Sequence, residues 1–279
     1  MATTTEAVTT TATEAAKVAG KVAGKAVEHH GGGLPNPMHQ FEIVRYWHLN
    51  LFGYDASFTN SALSMLMAAG LIVAFILYAM RHRALVPNRI QSVAEMAYEF
   101  VENIVKQTAG PEAMGYFPLV FTLFMFILFS NLLGLVNIPG VFAPFTSTSH
   151  IVVTFAMAAF VFLGVTLIGI VKHGFGFLKL FVPSGVPAVM LLLLVPIEVI
   201  SYFTRPVSLS VRLFANMMAG HTMLKVFGAF VGALGLAGIA PLLFMIPFTG
   251  LEVLVAFLQA YVFAILTCIY LNDALHIHH

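Results

Sequence analysis

Arg212 lies in one of the most apolar stretches of this chain, between Ser208 and His221. A guanidinium keeps its proton at any physiological pH. Because a fixed cation inside hydrocarbon costs several kcal/mol or more of free energy, it is retained there only where it has a function and a partner. The position of this residue therefore directs the functional interpretation toward the movement of charge across a membrane.

The composition is that of an integral membrane protein. The hydrophobic fraction is 59%, and only 9% of the residues are charged, against roughly 25% in soluble domains. No Asp, Glu, Lys or Arg occurs between Glu112 and Lys172, and such a run is long enough to cross a hydrocarbon core of about 30 Å twice. The single cysteine, Cys268, provides neither a disulfide framework nor a metal site.

The hydrophobic pattern predicts an all-α membrane protein with about five membrane-embedded helices and one interfacial amphipathic helix. Between 88 and 107, apolar residues recur on one helical face and glutamates cover the other, which favours a helix lying on the inner membrane surface. Residues 1–33, rich in Ala and Thr, are predicted to be a mobile polar tail before a membrane domain over 34–279. The predicted helices are 60–80, 88–107, 117–136, 149–171, 187–230 and 241–273.

Basic residues at the end of the first predicted span indicate its orientation. Arg81, His82 and Arg83 follow the apolar segment directly, and cytoplasmic ends of spans are enriched in positive charge. This places that end inside and the N-terminus outside. Five crossings then place the C-terminus inside.

The last two predicted helices are too long to stand upright in a bilayer. At 1.5 Å per residue, the segment 187–230 extends for roughly 65 Å, about twice the hydrocarbon thickness. It must break or lie steeply tilted. Together with 241–273 it is expected to form an oblique antiparallel hairpin that presents a broad face to a neighbouring molecule.

Polar side chains are concentrated in these two helices. His221 falls on the side of its helix opposite to Arg212, whereas Glu252 and Gln259 share a face of the last helix. On a helical wheel, a polar and small-residue stripe surrounds Arg212 and consists of Glu198, Ser201, Arg205, Ser208, Asn216 and Ala219.

Each of these groups also has a structural interpretation that the residues alone leave open. Arg212 could be paired with Glu198 or Glu252, and Glu252 could neutralise Lys225 or His221. Asn131, in a predicted span, could form an interhelical hydrogen bond.

Four segments resemble one known family, subunit a of the F-type ATP synthase. The longest, 208–221, reads SLSVRLFANMMAGH, and the last helix contains LQAYVF at 258–263. The segments PMHQF at 37–41 and NLLGL at 131–135 are similar to the same family. The resemblance extends from about residue 35 to the C-terminus and does not include the tail.

The resemblance implies a stator without a catalytic site or cofactor of its own, lying against a ring of rotor hairpins that each bear one carboxylate. Arg212 would be the essential arginine beside those carboxylates. The half-channel open to the inside would include Glu198, Ser201 and Ser208. The half-channel open to the outside would include His221, Glu252, Asn216, Gln259 and Asn131.

The resemblance also implies peripheral stalk subunits, a soluble ATPase sector and membrane lipid as partners, and no nucleic acid. The chain would be a multi-pass protein of an energy-transducing membrane, either the bacterial plasma membrane, which we favour, or the mitochondrial inner membrane. His221 favours protons over sodium as the translocated ion.

A proton-coupled secondary transporter is the alternative from another functional class. Such a protein needs a substrate site near the midplane, with inverted repeats or half-helices broken by Gly or Pro. Pro196 and Pro206 agree weakly with that pattern, but no internal repeat is apparent. An intramembrane enzyme would need a nucleophile–base pair or metal motif, and the sequence contains none that we recognise.

Overall fold

A computed structural model describes residues 45–47, 50–51, 54–55, 58–81, 87–136, 146–182 and 188–276. The predicted polar tail over 1–33 and the segment 37–41 lie outside the described residues. Six helices form the body of this part of the chain: α1 (Asn60–Ala79), α2 (Arg89–Thr108), α3 (Phe117–Leu135), α4 (Ile151–His173), α5 (Ala188–Ala233) and α6 (Ile239–Leu275).

Five segments are long and apolar enough to cross a membrane, namely α1, α3 with the 3-10 helix Pro111–Tyr116 before it, α4, α5 and α6. Further 3-10 helices lie at Ser147–Ser149, Gly174–Phe181 and Gly235–Gly238. The all-α membrane architecture expected from the hydropathy pattern is therefore confirmed.

Short strands before α1 were not expected from the sequence. They are β1 (Arg45–Trp47), β2 (Asn50–Leu51), β3 (Tyr54–Asp55) and β4 (Phe58–Thr59). The strands form two antiparallel pairs, β1 with β4 and β2 with β3. Aromatic residues favour extended backbone, and the segments are too short to display the alternation that identifies a strand in sequence. Thr59 ends the hairpin and caps α1, since its hydroxyl accepts a hydrogen bond from the Ala62 N–H.

The amphipathic helix α2 packs its apolar face partly against other helices. Val101 and Val105 are fully buried, and the ring of Phe100 lies 5.8 Å from that of Phe124 in α3 and 5.6 Å from that of Phe257 in α6. Ile90, the second residue of α2, remains 38% exposed. Helices α3 and α6 thus cover the C-terminal half of the apolar face of α2, the helix that the sequence analysis placed on the membrane surface.

The hairpin of α5 and α6 is the longest element pair of the structure. Its helices contain 46 and 37 residues, or about 69 Å and 56 Å at 1.5 Å per residue. Helix α5 continues through Pro196 and Pro206, and α6 continues through Pro247. Each proline removes one intrahelical hydrogen bond and permits a bend. Both helices are much longer than a hydrocarbon core of about 30 Å, which favours oblique paths through the membrane.

Helix α6 is the centre of the helical packing. It contacts α2, α3, α4 and α5. Its buried stripe combines small residues with a few large ones, and the small residues let neighbouring backbones approach closely where no hydrophobic force joins helices in lipid. The fully or almost fully buried members of this stripe are Ala256, Ala260, Phe263, Ala264, Cys268 and Leu271.

We expect the two ends of the apolar face of α2 to differ in their tolerance of a polar residue. Ile104→Asn places an unpaired amide at a position 8% exposed and should lower the free energy of unfolding by about 3 kcal/mol. Ile90→Asn, the matched change at an exposed position, should cost much less. Thermal unfolding of both variants in detergent measures the difference, and equal midpoints would show that α2 is not packed in this way.

Candidate functional site

Arg212 lies near the middle of α5 with an exposed side chain. Among the described residues, no carboxylate lies within ion-pair distance of its guanidinium and no hydrogen bond to it is found. This surface, which we call the arginine stripe, also contains the exposed residues Ser201, Ser208, Ala215, Asn216 and Ala219 and the half-buried Glu198.

Arg205, two turns earlier on α5, has the opposite environment. Its Nη1 donates to Oδ2 of Asp273 in α6 at 2.8 Å. Its guanidinium carbon also lies 5.6 Å and 5.2 Å from the ring centroids of Tyr202 and Tyr270, within cation–π range. Arg205 therefore joins the two long helices, and neither Glu198 nor Glu252 pairs with Arg212 in the part of the chain described.

His221 lies on the other side of α5, nine residues or half a turn of rotation from Arg212. Its side chain is 8% exposed, and both ring nitrogens have a neighbour. Nδ1 lies 3.1 Å from Oε1 of Glu252 in α6, and Nε2 lies 2.7 Å from Oγ1 of Thr146. Three separate segments thus meet at one imidazole.

Glu252 is buried, with 4% of its side chain exposed. Its contact with His221 has the distance of an ion pair but not the alignment of a hydrogen bond. In the described part of the chain both carboxylate oxygens therefore lack a hydrogen-bond partner. A buried carboxylate with unused acceptors has a strong tendency to take up a proton or a water molecule.

Gly220 provides the space for this carboxylate. A Cβ at position 220 would lie 2.8 Å from Oε1 of Glu252, well inside the normal contact distance of about 3.5 Å. The Gly220-His221 dipeptide therefore supplies both the imidazole and the space for the carboxylate.

A hydroxyl-rich turn completes the site and was not identified from the sequence. Ser147–Ser149 form the 3-10 helix, and Thr146 precedes it; all four side chains are buried. The sequence signal is the run Thr-Ser-Thr-Ser between two apolar spans. The predicted helix 149–171 included the end of this run, whereas α4 begins at Ile151.

Asn131 holds this turn against the last helix. Its Oδ1 accepts a hydrogen bond from Thr148 Oγ1 at 2.7 Å, and its Nδ2 donates to the carbonyl of Ala256 at 3.4 Å. Asn131 is fully buried. Asn131 thus forms the interhelical hydrogen bond that the sequence left open. Its connection to the His221 imidazole runs through the turn, which contains Thr146.

The structure does not bring every predicted outer half-channel residue to His221. Asn216 is exposed and belongs to the arginine stripe, one turn from Arg212. Gln259 lies on the buried stripe of α6, two turns from Glu252, with 8% of the residue exposed. The site therefore has two parts, which are the exposed arginine stripe and the buried cluster of Thr146, His221 and Glu252.

The described residues contain no group of three or more His, Cys, Asp or Glu side chains arranged to hold a metal ion. His150 follows the hydroxyl-rich turn outside the spans, and burial lowers the pKa of its imidazole below the usual 6.5. The lowered pKa favours the neutral form of the His150 imidazole.

Comparison with known proteins identifies the family. The family model described as "ATP synthase A chain" matches residues 62–272. The chain is 56% identical to "ATP synthase subunit a" of Pelagibacter ubique over 246 residues, covering 88% of this chain and 99% of that one. It is 57% identical over 251 residues to the protein of the same name from Mesorhizobium japonicum, covering 88% of this chain and 98% of that one.

A methyl group at position 220 should separate the buried pair. Because the added Cβ would lie 2.8 Å from Oε1, Gly220→Ala should push the Glu252 carboxylate away by about 1 Å. The contact with His221 Nδ1, now 3.1 Å, should then lengthen to about 4 Å. Gly228→Ala is the matched control, since nothing lies within 4 Å of its added Cβ. Density maps of the two variants measure the distance, and an unchanged pair in Gly220→Ala would contradict this geometry.

Proposed function

Because this chain belongs to the ATP synthase A chain family, we propose that it is the proton-conducting stator of the membrane sector, with Arg212 placed beside the carboxylates of a rotating ring. Membership of this family makes the chain a multi-pass membrane component of an ATP synthase and leaves the secondary-transporter alternative without support. Two offset half-channels, one to each side of the membrane, meet at the arginine stripe. The observation that carries the proposal is the exposed guanidinium of Arg212, which has no counter-charge among the described residues.

The arginine stripe is suited to a partner that brings a negative charge. Its exposed neighbours Ala215 and Ala219 are small, which allows another helix to approach closely. A guanidinium in lipid without a partner costs several kcal/mol, whereas one facing a carboxylate gains charge-assisted hydrogen bonds. The ring of hairpins supplies that carboxylate, one on each hairpin in turn.

Protons enter from the outside through the buried cluster. Glu252 and His221 take up and release protons at a contact distance of 3.1 Å, with Gln259 along the same helix face toward the ring. A ring carboxylate that receives the proton becomes neutral and passes into lipid without the cost of a bare ion. Asn131 supports this pathway indirectly, because it holds the hydroxyl-rich turn against α6.

Protons leave to the inside along the arginine stripe. Glu198, Ser201 and Ser208 occupy the part of the stripe before Arg212 in the chain. The hydroxyl groups and the carboxylate support water beside a ring site that releases its proton. Asn216, on the other side of Arg212 in the chain, lies where a ring site waits for the outer half-channel.

Arg212 separates the two half-channels because it cannot release a proton. A membrane potential of 100 mV supplies about 2.3 kcal/mol for each charge that crosses. The attraction between Arg212 and a ring carboxylate must therefore be moderate, or the ring would stop. Water beside the exposed guanidinium keeps the attraction within that range.

The complete assembly contains the rotor ring, peripheral stalk subunits and the soluble ATPase sector, all within or beside a lipid bilayer. The relatives reported above come from bacteria, which supports the bacterial plasma membrane as the location. The N-terminus lies outside and the C-terminus inside, as the basic residues after α1 indicate.

The same substitution at two arginines on one helix tests the role of Arg212. Arg212→Lys should reduce ATP-driven proton pumping by about tenfold to a hundredfold, because an ammonium releases its proton when desolvated and lacks the planar fork. Arg205→Lys retains a charge for Asp273 and should leave pumping within about twofold. Acidification of vesicles containing the assembled complex measures both. Normal pumping by Arg212→Lys would remove the basis of the proposal.

The buried carboxylate should carry protons, whereas an exposed one should not. Glu252→Gln retains the shape of the side chain but cannot titrate, so proton flux through the assembled complex should fall about tenfold. Glu112→Gln, at an exposed glutamate that pairs with Lys172 at 3.0 Å, is the matched control and should conduct normally. Flux at equal amounts of assembled complex is the measurement, and equal rates in both variants would return Glu252 to a structural role.

A further inference from the structure

We propose that Thr146 is a positioning residue of the outer half-channel, which holds the imidazole of His221 and sets the ring nitrogen that exchanges a proton with Glu252. This inference rests on the proposed function and adds to it a residue that the sequence did not identify. It is carried by the 2.7 Å contact between Thr146 Oγ1 and His221 Nε2.

The two nitrogens of His221 have different neighbours. Nε2 faces a neutral hydroxyl, and Nδ1 faces a carboxyl group at 3.1 Å. The partner at one nitrogen of an imidazole decides which nitrogen carries the proton in the neutral ring. Thr146 is therefore placed to control whether Nδ1, the nitrogen that faces Glu252, is protonated in the neutral ring.

Proton transfer from His221 to Glu252 requires no further group when the Thr146 hydroxyl accepts a hydrogen bond from Nε2–H. In the protonated imidazole, Nε2–H donates to Thr146 Oγ1 and Nδ1–H points to the ionised Glu252. Transfer breaks the Nδ1–H bond and forms an O–H bond on Oε1, which leaves a neutral imidazole and a neutral carboxylic acid. The Nε2–H remains bonded to Thr146 throughout, so the ring returns to the same orientation for the next proton.

Without the Thr146 hydroxyl, the proton of the neutral imidazole has no preference for Nε2 over Nδ1. If the proton settled on Nδ1 instead, that nitrogen would no longer accept a proton from Glu252. The ring would also be free to rotate away from the carboxylate. Both effects slow proton exchange without removing either titrating group.

The surroundings of Thr146 are built to fix its position. Ser149 Oγ donates to the Thr146 carbonyl at 2.6 Å, and Thr148 is held by Asn131 at 2.7 Å. Gly134 in α3 leaves room for the threonine side chain. A Cβ at position 134 would collide with Thr146 Oγ1 and would lie 2.8 Å from its Cβ.

The contact of Thr146 differs from those of the buried threonines within the long helices. Thr267, also buried, donates to the carbonyl of Phe263 one turn earlier at 2.8 Å, an ordinary way to satisfy a hydroxyl within a helix. Thr146 instead reaches an imidazole 75 residues away in the chain. Such a contact needs the tertiary structure and is not explained by local backbone geometry.

The test compares five variants in the complete ATP synthase reconstituted in vesicles, with ATP-driven acidification measured per assembled complex. Thr146→Val should lower pumping about tenfold, because it retains the shape and removes the hydroxyl. Thr146→Ser should retain pumping within about twofold of the unmodified protein. Thr267→Val, the matched control at a buried threonine, should pump normally.

Gly134→Ala is the second, independent variant, because it retains every polar group and displaces the Thr146 side chain. It should also lower pumping several-fold, and it keeps the test decisive if Thr146→Val does not assemble. Full pumping by Thr146→Val or Gly134→Ala would overturn the inference. Equal loss in Thr146→Ser and Thr146→Val would overturn it as well, because the effect would then belong to packing.

Glu252→Gln measured in the same preparation separates this inference from the proposed function. If Glu252→Gln slows pumping and Thr146→Val does not, only the role of Thr146 fails. If Glu252→Gln pumps normally, the outer half-channel itself fails and the inference about Thr146 fails with it.

Discussion

In hydrocarbon, an unpaired guanidinium costs several kcal/mol, and Arg212, near the middle of α5, has no ion-pair partner among the described residues. The chain has the means to satisfy such a group, because Arg205 on the same helix is bonded to Asp273 and lies beside two tyrosine rings. Because Arg212 has no such bond in this part of the chain, we propose that its counter-charge belongs to another subunit. The small and hydroxyl-bearing side chains around it leave space for that subunit to approach.

Helix α5 also separates two kinds of electrostatic environment. Arg212 and His221 are nine residues apart and therefore project to opposite sides of one rod. On one side the fixed cation faces outward, and on the other an imidazole and a carboxylate are enclosed by protein. In the proposed mechanism, a proton that reaches the enclosed pair cannot continue directly past a group that never deprotonates, so its route includes a moving carrier.

The enclosed pair depends on contacts that are distant in sequence. Gly220 makes room for Glu252, and a turn of four buried hydroxyl residues supports the other side of the imidazole. Asn131 links that turn to the backbone of α6. Small residues and neutral hydrogen bonds thus set the geometry, which places the titrating groups without introducing further charges into the bilayer.

The sequence by itself determined the features that repeat along one segment. Hydropathy predicted the five apolar spans, and a rotation of 100° per residue predicted the stripe around Arg212 and the opposite position of His221. Tertiary structure alone decided that Glu252 faces His221, that Arg205 binds Asp273, that Thr146 reaches the imidazole and that Asn131 supports a turn. These contacts join segments whose relative register depends on how whole helices pack. Since no local periodicity records that register, the pairings could not be predicted from the residues of either segment alone.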